Sequence, residues 1–141
     1  MSSLTAYDAL RDWFDSNWTF TARRHENEDP NPPADLSPFV HFATAGDLYQ
    51  QLSIGAGSPS ANLWRERGLA IFTCCVATGI GVSIARGYAV TLAQMMRGLA
   101  LPPGLQCEAM RIPAGAAFGR GGSYWGVPLV TEWYRDEPAA A

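Results

Sequence analysis

Eight consecutive residues, Leu69 to Val76 (LAIFTCCV), contain one threonine and otherwise only apolar or thiol side chains. At the two-residue period of a strand such a run places hydrophobic groups on both faces, which is stable only where a sheet is covered on both sides. The residues just before it, Trp64-Arg65-Glu66-Arg67, are polar and alternating. The spacing therefore predicts one long strand over 62–78 that starts polar, projects beyond its sheet and becomes central. Everything else in the chain has to pack around it.

The clearest helix follows directly, over 80–98. Ile80, Ile84, Tyr88, Leu92, Met95 and Leu99 form one apolar stripe, widened by Ala85, Ala89, Ala93 and Met96, while Ser83, Arg86, Gln94 and Arg97 face away. Gly98 and the prolines at 102 and 103 end it. A first amphipathic helix is expected over 3–16, with Ala6, Ala9, Leu10 and Trp13 on its inner face and Ser2 or Ser3 as its cap.

Strands are expected at 18–24, where Trp18, Phe20 and Ala22 alternate with polar residues, then at 39–45 and 47–54 with Gly46 as a hinge or tight turn between them. Two more follow at 105–112 and 123–134. In the last, Trp125, Val127, Leu129 and Trp133 share a face, and Pro128 implies an edge strand or a bulge. The acidic, proline-rich stretch 25–38 (HENEDPNPPADLSP), GAGSPSA at 55–61 and PAGAAFGRGG at 113–122 read as loops. The order α-β-β-β-β-α-β-β, without a βαβαβ run, gives an α+β fold: a mostly antiparallel sheet packed against two α-helices. It makes one domain over 1–135 and a flexible tail over 136–141.

Composition narrows the functional classes. A chain of 141 residues can bury a core without disulfides or metal. Only 16% of its residues are charged, against roughly 25% in typical soluble domains. Such a surface either is built from Gly/Pro-rich loops or is partly hidden against partners. All ten basic residues are Arg and the net charge is -3, which argues against a globally basic nucleic-acid binder; the lack of Lys fits a bias toward GC-rich codons. Three cysteines, two of them adjacent at 74 and 75, make neither a disulfide framework nor a C-x-x-C metal spacing. They read as core residues in a reducing compartment. No apolar run reaches bilayer length and no signal-like N-terminus is present, so a soluble protein without membrane contact is expected.

Catalytic signals are weak. VATGIGVSIARG runs from strand into helix through Gly79-x-Gly81, but its third position is Ile84 and no phosphate-loop Lys follows. A small nucleotide-binding enzyme is thus a distant alternative. Cys74 and Cys75 lie in the most apolar run, away in sequence from the only histidines, His25 and His41. The carboxylates Glu26, Glu28, Asp29 and Asp35 sit in a loop better suited to solvent, or to an Arg-bearing neighbour, than to a catalytic pair. Arg65, Arg67, Arg111 and Arg120 would form a positive stripe if the long strands lie side by side. The expectation is a protein that is not an enzyme, with no cofactor and no metal.

The whole pattern resembles the tail terminator family of long-tailed bacteriophages. The matching features are the short first helix, the entry PNPPADLSPFVHF into the second strand, the stretch LSIGAGSPSANLWRERGLAIFTCCVATGIG leading into the long helix, and the late IPAGAAFGRGGSYWGVPLVTEWYRD hairpin. Arg67-Gly68-Leu69, Gly79, Trp125 and Val127 to Val130 occupy the places of the family's weak motifs. The resemblance implies a structural virion protein of the tail-neck region, assembled in the bacterial host cytoplasm. It would form a homo-oligomeric ring, usually a hexamer, that caps the major tail tube protein, stops its polymerisation and meets a head-tail connector or stopper protein. DNA would pass through the lumen without specific binding. Trp64, Arg65, Glu66 and Arg67, with Phe118 and Arg120 in the 113–122 loop, are the candidate assembly contacts. The long 25–37 insertion leaves open a head-side stopper or other joining protein, including one in a phage-derived gene transfer agent.

Overall fold

A computed structural model describes residues 4–26, 36–51, 62–102, 104–119 and 122–138. The expected N-caps Ser2 and Ser3, the 55–61 loop and Arg120 lie outside the described residues. The described chain runs α1 (Leu4–Asn17), β1 (Ala22–His25), β2 (Phe39–Gln51), β3 (Leu63–Ala77), α2 (Ser83–Met96), β4 (Ala100–Leu101), β5 (Leu105–Arg111), β6 (Ala116–Phe118) and β7 (Tyr124–Pro138). The seven strands form one sheet in the order β1-β2-β3-β7-β5-β4, with β6 also paired to β7. Only β1 and β2 are parallel; the other pairs are antiparallel. The α+β architecture expected from the sequence is the one observed.

The long strand is central, as its apolar run predicts, but among the described residues helices cover one of its faces and not both. β3 pairs with β2 from Trp64 to Cys75 and with β7 from Leu63 to Ala77. Its even-numbered residues Ala70, Phe72, Cys74 and Val76 enter the main core with Ala6, Leu10 and Phe14 of α1 and Ala85, Ala89, Leu92 and Met96 of α2. Both helices therefore cover the same face. Phe72 lies 5.1 Å from the ring centres of Phe14 and Phe42, an aromatic cluster that seats α1 on the sheet. The odd-numbered Cys75 enters a smaller second cluster with Phe39 and Tyr124, packed by Phe118, on the opposite face.

Several expectations are corrected. The strands expected at 39–45 and 47–54 are one strand: between Ala45 and Leu48 β2 advances three residues while β3 goes from Leu69 to Arg67. The extra residue is a β-bulge, which a lone Gly46 permits and a two-residue hairpin would not need. The strand expected at 18–24 begins only at Ala22. Trp18 instead closes α1, its amide donating to Phe14 O, and its indole is fully buried, with Nε1 donating to Thr21 Oγ1 at 2.8 Å. Residues 136–138, expected in the flexible tail, belong to β7, where Asp136 pairs with Arg65 and Pro138 with Leu63; the rest of the expected tail lies outside the described residues. Pro128 sits in a central strand, yet it falls between the β6 register, ending at Gly126, and the β5 register, beginning at Val130. Its missing amide costs no ladder bond there.

The helix α2, expected over 80–98 and observed over Ser83–Met96, turns the expected apolar face inward but leans on its alanine edge. Ala85, Ala89, Leu92 and Met96 are buried, whereas Ile84 is 49% exposed and Ile80, 55% exposed, lies in the turn before the helix. The sheet beneath already carries Val127, Leu129 and Trp133, so a close approach requires small side chains on the helix.

Candidate assembly interface

The polar start of β3 does not project. Trp64 is paired with Gln51 on one side and Glu137 on the other, and Arg67 with Leu48 and Tyr134. It is the middle of a three-stranded extension. Alternation divides its residues between the two faces. Trp64 and Glu66 share the parity of the helix-covered side; Glu66 is 1% exposed and stands opposite the buried Arg135, a cross-strand pair of opposite charge. Arg65 and Arg67 stand on the other face.

On that face the two guanidiniums are already engaged. Arg65 donates through Nε and Nη2 to the two oxygens of Asp136 at 2.7 and 2.9 Å, a bidentate pair, and lies 4.2 Å from the ring centre of Tyr134. The bidentate bond to Arg65 holds the Asp136 carboxyl below its ordinary value and raises the guanidinium. Arg67 Nη1 donates to Glu108 Oε2 at 2.8 Å, and Tyr134 Oη to Gln106 Oε1 at 2.6 Å. A second bulge makes this possible. Between Cys107 and Ala109 β5 advances two residues against one on β7, and the extra residue is Glu108, which re-aims its side chain. The expected positive stripe is thus not formed: Arg65 and Arg67 are paired, Arg111 ends β5 opposite Val130, and Arg120 is outside the described residues. Tyr134, Asp136 and Glu108 were not singled out by sequence, since only register brings them to the arginines.

Phe118 does lie at a surface between elements. It is on β6, over the second face of the sheet, with its ring 5.9 Å from Phe39 and 5.4 Å from His41. His41 is half-buried and its pKa is lowered by burial, against a smaller upward pull from Glu26. Beyond Phe118 the second face carries Ala43, Ala45, Leu69, Ile71, Thr73, Pro128 and Val130, joined in register across β2, β3 and β7. Among the described residues no helix covers it.

Sequence reasoning also missed a recess of about 500 Å³ at the start of α2, lined by Thr78, Gly79, Gly81, Val82, Arg86, Ala114, Gly115 and Trp125. The turn from β3 into α2 depends on Gly79 and Gly81, at φ of +94° and +88°, where a side chain would be strained. Trp125 shares the face of Val127 and Leu129 but lies beyond the cover of α2 and is 37% exposed. Its indole lies against Gly115, where an added Cβ would fall 2.5 Å from Nε1. The helix begins at Val82 without a side-chain cap, and its first turn holds no acidic residue.

The thiols are held neutral by burial, which pushes Cys74 up to about 12, Cys107 to about 11 and Cys75 further still. Among the described residues no group of three or more His, Cys, Asp or Glu is placed to hold a metal ion. No helix among them is long and apolar enough to cross a membrane.

No family model matches the chain, and no curated protein matches it. Eight solved chains do match. One superposes with a TM-score of 0.59 over 97% of this chain and 96% of its own length, at 17% identity. At that identity the likeness shows the fold alone, which extends over the whole domain.

Proposed function

We propose that this chain is a structural, ring-forming subunit of a bacteriophage-type tail, a tail terminator that caps the tube and meets the head connector. The observation that supports assembly best is the second face of the sheet, where the half-buried Ala43, Ala45, Leu69 and Ile71 run across β2 and β3 with no helix over them among the described residues. A chain with 16% charged residues and an apolar sheet face is suited to association. The specific assignment rests on the sequence resemblance, and the α+β fold is compatible with it. The candidate contacts are then narrower than the sequence suggested. Arg65 and Arg67 are engaged within the subunit, so they stiffen the extension, and the apolar face and Phe118 carry the contact.

Sedimentation of the purified chain, alone and with tail tubes, together with tube lengths in particles lacking it, tests the proposal. A ring of six and tubes that overrun their normal length in its absence are expected. A chain that stays monomeric with tubes and leaves their length unchanged overturns it. The head-side stopper differs in one outcome: it would be found on head connectors in tailless particles while tube length stays normal. The nucleotide-binding alternative predicts a thermal shift on adding nucleotide.

A further inference from the structure

We infer that the strap 114–119, which carries β6, is a pH-sensitive lid on the second face of the sheet. A neutral His41 under the Phe118 ring holds it shut, and protonation of His41 releases it. Little else holds the strap. Ala114, Ala116, Ala117 and Gly119 are exposed, so Phe118 is the one side chain it turns inward. Its pairing among the described residues is the three-residue register with β7, from Ala116↔Gly126 to Phe118↔Tyr124. At its start Gly115 lies against the Trp125 indole, which fixes that end. A segment with so few buried contacts opens locally at a lower cost than the core does.

The Phe118 ring lies 5.4 Å from His41 and 5.9 Å from Phe39, and Phe39 lies 4.9 Å from Tyr124. Phe39 and Tyr124 are almost fully buried, so lifting Phe118 uncovers an aromatic surface on the face that carries Ala43 and Ile71. His41 is where a proton enters this arrangement. Burial is the largest influence on it and opposes the charged form; Glu26 favours that form more weakly, and His25 opposes it. The Glu26 carboxylate is itself engaged by the amide and hydroxyl of Thr44. In the ladder His41 stands opposite Arg24 of β1 and Thr73 of β3, so neither cross-strand neighbour supplies a carboxylate. An imidazolium beside a phenyl ring gains some attraction, but the balance at His41 lies with the neutral form. Part of that burial is the Phe118 ring. By linkage, a contact that disfavours the proton is disfavoured by it to the same extent. Nothing in this device requires the ring: a subunit that never assembles would carry it.

An NMR titration of the full chain tests this. The His41 ring signals should titrate below the ordinary 6.5 in the wild type and move up toward it in Phe118→Ala; a midpoint unmoved by Phe118→Ala overturns the inference. A second measurement does not depend on that variant. Hydrogen exchange, corrected for its intrinsic pH dependence, is followed at amides 116–118 from pH 7.5 to 5. Their protection should fall on acidification by up to about tenfold per pH unit, the limit for one linked proton. They should exchange faster than amides 70–74 of β3 at every pH, as local opening requires, and His41→Gln should remove most of the slope. Strap protection that does not change with pH, that matches amides 70–74, or that keeps its slope in His41→Gln overturns the lid. The oligomeric state does not enter either readout, so failure here leaves the ring reading standing.

Discussion

Gly115→Ala places a methyl group where the Trp125 indole and a sheet carbonyl now sit. An ideal Cβ would be 2.5 Å from Trp125 Nε1, 3.1 Å from Cε2 and 2.9 Å from Gly126 O, against the 3.4 Å at which ordinary contact begins. The ring must therefore move by about 0.9 Å. It can do so, being partly exposed, but the Gly126 carbonyl belongs to the rung Ala116↔Gly126 between β6 and β7, and that backbone yields less readily. Gly126 is itself packed tightly on its other side, where a Cβ would meet Thr73 Cγ2 at 2.6 Å. Overpacking of this kind costs about 1–3 kcal/mol. At roughly 3–5 °C per kcal/mol for a domain of this size, Tm falls by roughly 6–10 °C at the middle of that range. Thermal unfolding followed by circular dichroism measures it, and acrylamide quenching, compared with a Trp125→Phe control, reports whether the indole has swung outward. An unchanged Tm with unchanged quenching would refute the claim that the indole is seated over residue 115.

Phe72→Ala removes the centre of the cluster with Phe14 and Phe42 and should cost about 3–5 kcal/mol, read from urea unfolding, with Phe72→Leu losing much less. Gly87→Ala acts oppositely: Gly87 is an exposed interior residue of α2 with nothing within 4 Å of an added Cβ, so the unfolded chain loses freedom and stability rises by about 0.5–1 kcal/mol. His41 makes stability depend on pH. Burial lowers its pKa from the ordinary 6.5, so the unfolded chain takes up the proton first as pH falls. Stability is thus full above 6.5 and declines below it until the folded histidine also protonates; unfolding scans from pH 7.5 to 5 should show this slope reduced in His41→Phe. Asp136 adds a second acid-sensitive contribution, present above its ordinary 3.8 and lost as the pH falls through its lower folded value. Asp136→Asn should flatten the corresponding limb in scans carried further down, from about pH 5 to about pH 2.

The parts of the fold legible in the sequence are those set by local period and punctuation. LAIFTCCV can only be an inner strand, and Gly98, at φ +69°, stops α2 where a helix of this sequence should stop. Parts decided by what lies opposite were not legible. On α2, hydropathy favours the isoleucine edge, while the space left above Trp133 and Leu129 admits the alanine edge. At Trp18 the period of two was real, but a large indole one residue past a helix gains more by folding back onto the core than by entering a four-residue edge strand. Gly46 carries the same ambiguity: a glycine between two apolar runs marks a turn or a bulge, and the unbroken pairing of β2 with β3 on both sides of it decides for the bulge.

The candidate site follows the same division, with a consequence for assembly. Sequence could identify Trp64 to Arg67 as polar residues at the head of a buried strand, and from that alone an arm reaching for a partner is a natural expectation. Register changes its meaning, because β7 brings Asp136 and Tyr134 alongside and the bulge at Glu108 supplies the second carboxylate. A guanidinium already bound bidentately would have to exchange that partner for another at little net gain, and partly exposed pairs contribute little to begin with. Surfaces that have no such internal partner have more to gain from contact. Among the described residues the second face, which no helix covers, is one such surface. On the proposed ring reading, the low charge of the chain bears on assembly through where its charges are spent, since the arginines of the extension are engaged within the subunit and the sheet face, among the described residues, is not.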